Sequence, residues 1–251
     1  MSLTTPNGSF QAVGNEAARS LRTPSLIAGS ALLFLVALSV FGNFAVLENL
    51  ISQGDGAGTA AEISGSGMLF RMGIAALVAA VVLDAVIAAA LFEVFASVNR
   101  SLSMMAAWFR LAYSAVFLVA ICRLLEVPAL LDDGERVLHA VDGFNTVWKV
   151  GLILFGFHLM LIGYLAYRSR FMASIFGMLL VINGIGYIAD GFAVVLVSDY
   201  SFSFAQFVFV GETALIFWLL IRGRRVITGH QQAQWPATEG SIQRPAESPV
   251  A

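Results

Sequence analysis

The chain has 251 residues, of which 59% are hydrophobic and only 12% charged, with a formal net charge of -2. Ordinary soluble domains carry about 25% charged residues, so this composition excludes a disordered chain, a nucleic-acid binder and an ordinary soluble enzyme, and it points to a multi-pass membrane protein. One cysteine, Cys122, allows neither an intrachain disulfide nor a cysteine-based metal site, and there are three histidines. No cofactor and no metal centre are expected.

Residues 1–23 are polar and carry Arg19 and Arg22, so they read as a tail rather than a short cleavable signal peptide. Six apolar segments follow, at 25–47, 70–97, 103–126, 143–167, 172–197 and 204–222. Each is long enough to span a bilayer, which takes about 20 residues. Thr23-Pro24 is a suitable start for the first. The stretch 48–69 is rich in Gly, Ser and Ala and is expected to be a flexible loop. Residues 127–142 suit a short amphipathic helix on the membrane surface. The connections at 98–102, 168–171 and 198–203 are short and imply antiparallel neighbours. Residues 224–251 lack periodicity and are expected to be a disordered tail.

The fold expected is therefore an all-α integral membrane protein, a six-transmembrane-helix bundle over 24–223. Orientation follows from the basic residues. Arg19, Arg22, Arg100, Arg168, Arg170, Arg222, Arg224 and Arg225 fall on one side. The opposite loops hold Arg136 against Asp55, Glu62, Asp132, Asp133, Glu135, Asp142 and Asp199. Both termini are thus expected in the cytoplasm.

Several stretches form a pattern: Val98-Asn99-Arg100-Ser101-Leu102 leading to Ala107-Trp108-Phe109-Arg110; Phe155-Gly156-Phe157-His158-Leu159 running on to Gly163-Tyr164-Leu165 and Arg168-Ser169; Gly186-Tyr187 with Asp190; and Gly211-Glu212 with Trp218-Leu219-Leu220. Over about residues 25–223 this resembles the uncharacterised prokaryotic multi-pass membrane family catalogued as domain of unknown function 4386. The resemblance implies residence in a bacterial or archaeal cytoplasmic membrane and brings no activity with it.

Eight ionisable residues fall inside the apolar segments: Arg71, Asp84, Glu93, Arg110, Arg123, Lys149, Asp190 and Glu212. Charges there are costly and usually face the bundle interior or a partner. Arg71 and Arg123 lie near segment ends and can snorkel to the interface. Across the tight 168–171 turn, Gly163 should face Gly177, Gly156 should face Gly184, and Lys149 should face Gly191. Seven-residue spacing keeps these glycines on one face, and small residues permit close helix approach. Lys149 is then placed to meet Asp190, with Glu212 at similar depth. The plain alternative is a fixed ion pair that sets helix register.

Counting about 1.5 Å per residue puts Asp84, His158 and Asn183 at one depth, roughly 20 Å from the outer edge. Asp84 has no obvious basic partner at that level, and an Asp–His pair there would suit a proton relay. A hydrogen-bonded core histidine is the commoner arrangement. Glu93 and Arg110 are expected to form a structural ion pair across the hairpin of the second and third helices. Gly184-Ile185-Gly186-Tyr187-Ile188-Ala189 matches a dinucleotide fingerprint, but it lies within an apolar helix with no strand before it and is rejected.

Three functions stay open. The first is a small transporter or permease-like protein with a polar pocket of Asp84, Lys149, His158, Asn183, Asp190 and Glu212 and a small solute, ion or proton as ligand. The second is an accessory, sensory or structural membrane protein whose charges tie helices and whose partners are lipids or proteins. The third, less favoured, is a membrane-embedded enzyme, for which no nucleophile or metal set is recognisable.

Overall fold

The computed structural model describes residues 19–197 and 210–228. Ser20–Ile227 form one compact unit. Apart from a two-residue ladder between Arg19–Ser20 and Ile227–Thr228, its regular structure is helical. Five helices are long and apolar enough to cross a membrane: Arg22–Leu50, Gly67–Phe95, Arg100–Ala129, Gly134–Arg168 and Ser174–Leu196.

The first, α1, is α-helical over Arg22–Ser39, widens to a π-helix over Val40–Leu47 and closes with Glu48–Leu50. Its wide turn lies against the next long helix. A Cβ on Gly42 would stand 3.1 Å from the Gly73 carbonyl oxygen, and one on Gly73 would stand 2.7 Å from Val46 Cγ1. The absence of side chains at 42 and 73 is thus what allows the two backbones to approach.

The Gly/Ser/Ala-rich stretch expected as a flexible loop contains a helix, α2 (Gly56–Gly65). Asp55 caps it by accepting the Gly58 N–H at 2.8 Å, which satisfies one of the free donors at a helix start. Thr59 Oγ1 accepts from the Ser52 N–H at 3.0 Å and ties the helix to its approach. Gly composition signals weak propensity, and here a cap and packing against the start of α5 outweigh it.

The helices α3 (Gly67–Phe95) and α4 (Arg100–Glu126) form a tight hairpin. Asn99 caps α4 by accepting the Leu102 N–H at 3.0 Å, and Ser103 Oγ donates to the Phe92 carbonyl at 2.9 Å. A 3-10 turn, Val127–Ala129, follows α4. The amphipathic helix expected at 127–142 is not separate. From Gly134 onward it is the first part of α5 (Gly134–Arg168), whose 35 residues start at an Asp133 cap. At about 1.5 Å per residue α5 is roughly 52 Å long, well beyond the ~30 Å of a hydrocarbon core. Its partner α6 (Ser174–Leu196) packs along it over the most extensive helix–helix interface among the described residues.

The sixth expected span is represented by α7 (Val210–Ile221), 12 residues long among the described residues. The connection expected at 198–203, the start of that span and most of both tails lie outside the described residues. The helix α7 packs on α1 and α6. The Leu21 N–H donates to the Val226 carbonyl at 3.1 Å, so the two ends of the unit meet. Phe171 lies 6.1 Å from Phe95 and 5.7 Å from Trp218, centroid to centroid. The turns 96–99 and 169–173 and the end of α7 are therefore at one end of the unit. Large apolar side chains such as Phe34, Phe44, Val82 and Trp108 point outward, while Phe70, Leu77, Leu91, Leu124 and Leu159 fill the interior.

Candidate functional site: a buried polar layer

The first part of the layer centres on Arg110 of α4, 3% exposed. Its Nη2 lies 2.6 Å from Asp84 Oδ1, and its Nε donates to the same oxygen at 2.8 Å. Its Nη1 lies 3.1 Å from His158 Nε2 on α5. A guanidinium has only donors, so Nε2 must accept. The other ring nitrogen, Nδ1, lies 2.8 Å from the Ala106 carbonyl oxygen and must donate. Only a neutral imidazole with its proton on Nδ1 meets both conditions. Ser114 Oγ donates to the Arg110 carbonyl at 2.8 Å.

Asp84 and His158 are 3% and 1% exposed, so this is a water-poor cluster joining α3, α4 and α5. Removing either member of a buried ion pair typically costs about 3–5 kcal/mol, because the other charge is stranded. The fork geometry is one reason that arginine suits such sites better than lysine.

The second part lies on α6 and α7. Asn183 Nδ2 donates to Glu212 Oε1 at 3.1 Å, and the Tyr187 hydroxyl donates to the same oxygen at 3.3 Å. Asn183 is fully buried, and its Oδ1 has no hydrogen-bond partner among the described residues. Phe155 joins the two parts. The Arg110 guanidinium carbon sits 5.3 Å from its ring centre, a cation–π distance, and Tyr187 meets it edge-on at 5.5 Å. Tyr113 packs on Phe155 at 4.9 Å, and its hydroxyl accepts from Trp148 Nε1 at 3.1 Å.

Two expectations change here. Asp84 was expected to lack a basic partner, and Arg110 was expected to pair with Glu93. Arg110 instead pairs with Asp84 and stands between it and His158. The reason is hairpin register. The Ser103–Phe92 hydrogen bond aligns α3 with α4 so that position 110 lies opposite 85, beside Asp84. Glu93 lies opposite Leu102, about two turns away, and is half-buried.

His158 and Asn183 sit on adjacent helices but turn to different partners, the first to α4 and the second to α7. A Cβ on Gly156 would stand 2.6 Å from the Gly184 carbonyl oxygen, and one on Gly163 would stand 2.7 Å from that of Gly177. Gly191 faces the Lys149 backbone, 3.1 Å from its carbonyl oxygen by the same measure. Lys149 is half-buried, while Asp190, next to Gly191, is 5% exposed and engaged in a polar contact. Tyr187, Phe155 and the Ala106 carbonyl belong to the polar layer but are not among the site residues expected from the sequence. The one available signal was the seven-residue step from Leu180 through Tyr187 on the inward side of α6.

Among the described residues no group of three or more His, Cys, Asp or Glu could hold a metal ion. Two cavities lie away from the layer. One, about 270 Å³, is lined by apolar atoms of Tyr164, Tyr167 and Met178 among others, and the second, about 210 Å³, includes Ser64, Phe70 and Arg71.

An uncharacterized protein of Archaeoglobus fulgidus is 32% identical over 146 residues, covering 58% of this chain and 80% of that protein. No solved structure matches. The family described as "Domain of unknown function (DUF4386)" matches residues 27–223, which contain every residue of the polar layer, and the chain belongs to that family.

Proposed function

We propose that this chain is a six-helix protein of a prokaryotic cytoplasmic membrane, of accessory or structural type, with its central charges serving as interhelical ties. The observation that carries this reading is that Arg110 turns each of its guanidinium nitrogens to a buried group of another helix. Three guanidinium nitrogens are engaged by Asp84 and His158, and all three residues are buried. A solute pocket would need these groups to line a cavity, and neither of the two cavities described above is lined by Asp84, Arg110 or His158. In hydrocarbon, such a tie sets which helices pair and at what height.

We also place both termini in the cytoplasm. The meeting of Leu21 with Val226 supports placing the two ends on one side. Arg22, Arg100, Arg168, Arg170, Arg222 and Arg225 cluster toward that end, and basic loops favour the cytoplasm. Lipids, through the outward apolar surface, are the first partners of this account.

A second reading, a permease-like protein handling a proton or small solute, is favoured by a specific observation: a second, half-buried carboxyl group, Glu212, beside an amide oxygen that has no hydrogen-bond partner among the described residues. Liposomes containing a pH-sensitive dye separate the readings. If the tie is structural, the wild type and a folded Asp84→Asn/Arg110→Gln variant both match protein-free liposomes in proton and small-solute permeability. Flux that depends on the wild-type protein and disappears in the folded double variant would replace the structural reading with transport.

A further inference from the structure

The Glu212 end of the layer has an excess of acceptors. Glu212 Oε1 already takes two donors, from Asn183 and Tyr187. Beside it the Asn183 carbonyl oxygen is buried without a donor among the described residues. The groups around Glu212 can be named element by element. Among the described residues these are Asn183 and Tyr187 from α6, Asp84 from α3, and Arg110 and Tyr113 from α4, with Asp190 facing Tyr187. The helix α1, packed on α7, carries charge only near its ends, at Arg22 and Glu48. Arg110 is the cation among these, and Asp84 holds it directly at 2.6 Å. The layer thus sets two inward carboxyl groups, Asp84 and Glu212, against one guanidinium.

The carboxamide of Asn183 is nearly symmetric in shape, and a half-turn exchanges its oxygen and nitrogen. After that turn Oδ1 faces Glu212 Oε1 across the 3.1 Å that Nδ2 spans before it. Two oxygens at that separation require a proton between them. Each arrangement leaves one amide atom facing the interior, so hydrogen bonding is about balanced. What differs is charge: one arrangement holds a half-buried carboxylate without a direct cation among the described residues, and the other holds a neutral acid. A low-dielectric interior favours the neutral form.

We propose that Glu212, Asn183 and Tyr187 form a proton-binding site. Glu212 takes a proton from solvent, its O–H donates to Asn183 Oδ1, and the Tyr187 hydroxyl goes on donating to the carboxyl group. Release of the proton returns the amide to the orientation in which Nδ2 donates to the carboxylate. The ligand is a proton, not a metal cation, and the site does not depend on whether the Arg110 tie is structural.

The test is infrared difference spectroscopy of the purified full chain in lipid nanodiscs, titrated from mildly acidic to mildly alkaline pH. The expected result is a carbonyl band of a hydrogen-bonded carboxylic acid. It is lost in Glu212→Gln, retained in Asp84→Asn, and shifted to higher frequency in Asn183→Leu, where the O–H loses its acceptor. Glu212→Asp keeps an acid and serves if the glutamine variant fails to fold; its band is expected at an altered frequency. Absence throughout the titration of any band that changes in a folded Glu212 variant overturns the proposal. Loss of the band on replacing choline by sodium at constant pH also overturns it, in favour of a metal-cation site.

Discussion

Arg110 meets Asp84 at 2.6 Å across the α3–α4 hairpin, and the same guanidinium lies 3.1 Å from His158 on α5. One side chain thereby links three helices at one level. An arginine cannot shed its charge to relieve burial, so the cluster holds only while Asp84 supplies the opposite charge. The histidine contributes differently. It accepts from Arg110 and donates its Nδ1–H to the Ala106 carbonyl, so it connects the ion pair to the α4 backbone without carrying charge.

The tautomer gives a direct prediction. His158→Leu leaves one Arg110 N–H unpartnered, at about 1–3 kcal/mol, and takes away the second donor to the Ala106 carbonyl, which keeps its hydrogen bond within the helix. His158→Gln, with both a donor and an acceptor, is expected to cost less. Denaturant titration in mild detergent measures the order. Nitrogen NMR of labelled histidine checks the cause, with a protonated Nδ1 and a bare Nε2 expected at neutral pH. A doubly protonated ring at that pH would contradict the arrangement.

The glycine seam predicts a contrast between positions. A side chain at Gly156 or Gly184 meets the opposing backbone, whereas Gly65 has nothing within 4 Å of where a Cβ would go. Gly184→Val should therefore push α5 and α6 apart and cost about 1–3 kcal/mol or more. Gly65→Ala should be neutral or slightly stabilising, because it only restricts the unfolded chain. Equal tolerance of both changes in an unfolding assay would mean that the seam does not hold the two helices.

The orientation predicts a labelling pattern. With Cys122 replaced by Ser, single cysteines can be introduced at Ser52 and at Ser101, both exposed and near opposite ends of the unit. A membrane-impermeant maleimide applied to intact cells should label Ser52→Cys. It should reach Ser101→Cys only after permeabilisation. The reverse pattern would invert the orientation, and labelling of both in intact cells would break the proposed topology.

Much of the fold was legible from periodicity and length. Apolar runs of membrane-spanning length mark the five long helices, and the spacing of Gly156, Gly163, Gly177, Gly184 and Gly191 leads to the α5–α6 register because the intervening turn is short. The polar layer was less legible. The α3–α4 register depends on how four residues, 96–99, are wound and on the Ser103–Phe92 hydrogen bond. A shift of about two turns moves Arg110 from Glu93 to Asp84, and arginine's length bridges the remainder. Tyr187 reads in sequence as one more aromatic on an apolar helix, and only the position of Glu212 gives its hydroxyl a purpose. The α2 helix was hidden for another reason: its propensity is poor, and the Asp55 cap and tertiary contacts make up the deficit.

The most direct test of the central claim, that Arg110 ties Asp84 and His158 into one interhelical unit, is a double-mutant cycle of Asp84→Asn and Arg110→Met by reversible unfolding in detergent micelles. Each single change is predicted to cost about 3–5 kcal/mol, because it strands a buried charge. The double variant is predicted to cost clearly less than the two single losses together. Additive losses would show that the two residues do not stabilise one another and would contradict the account.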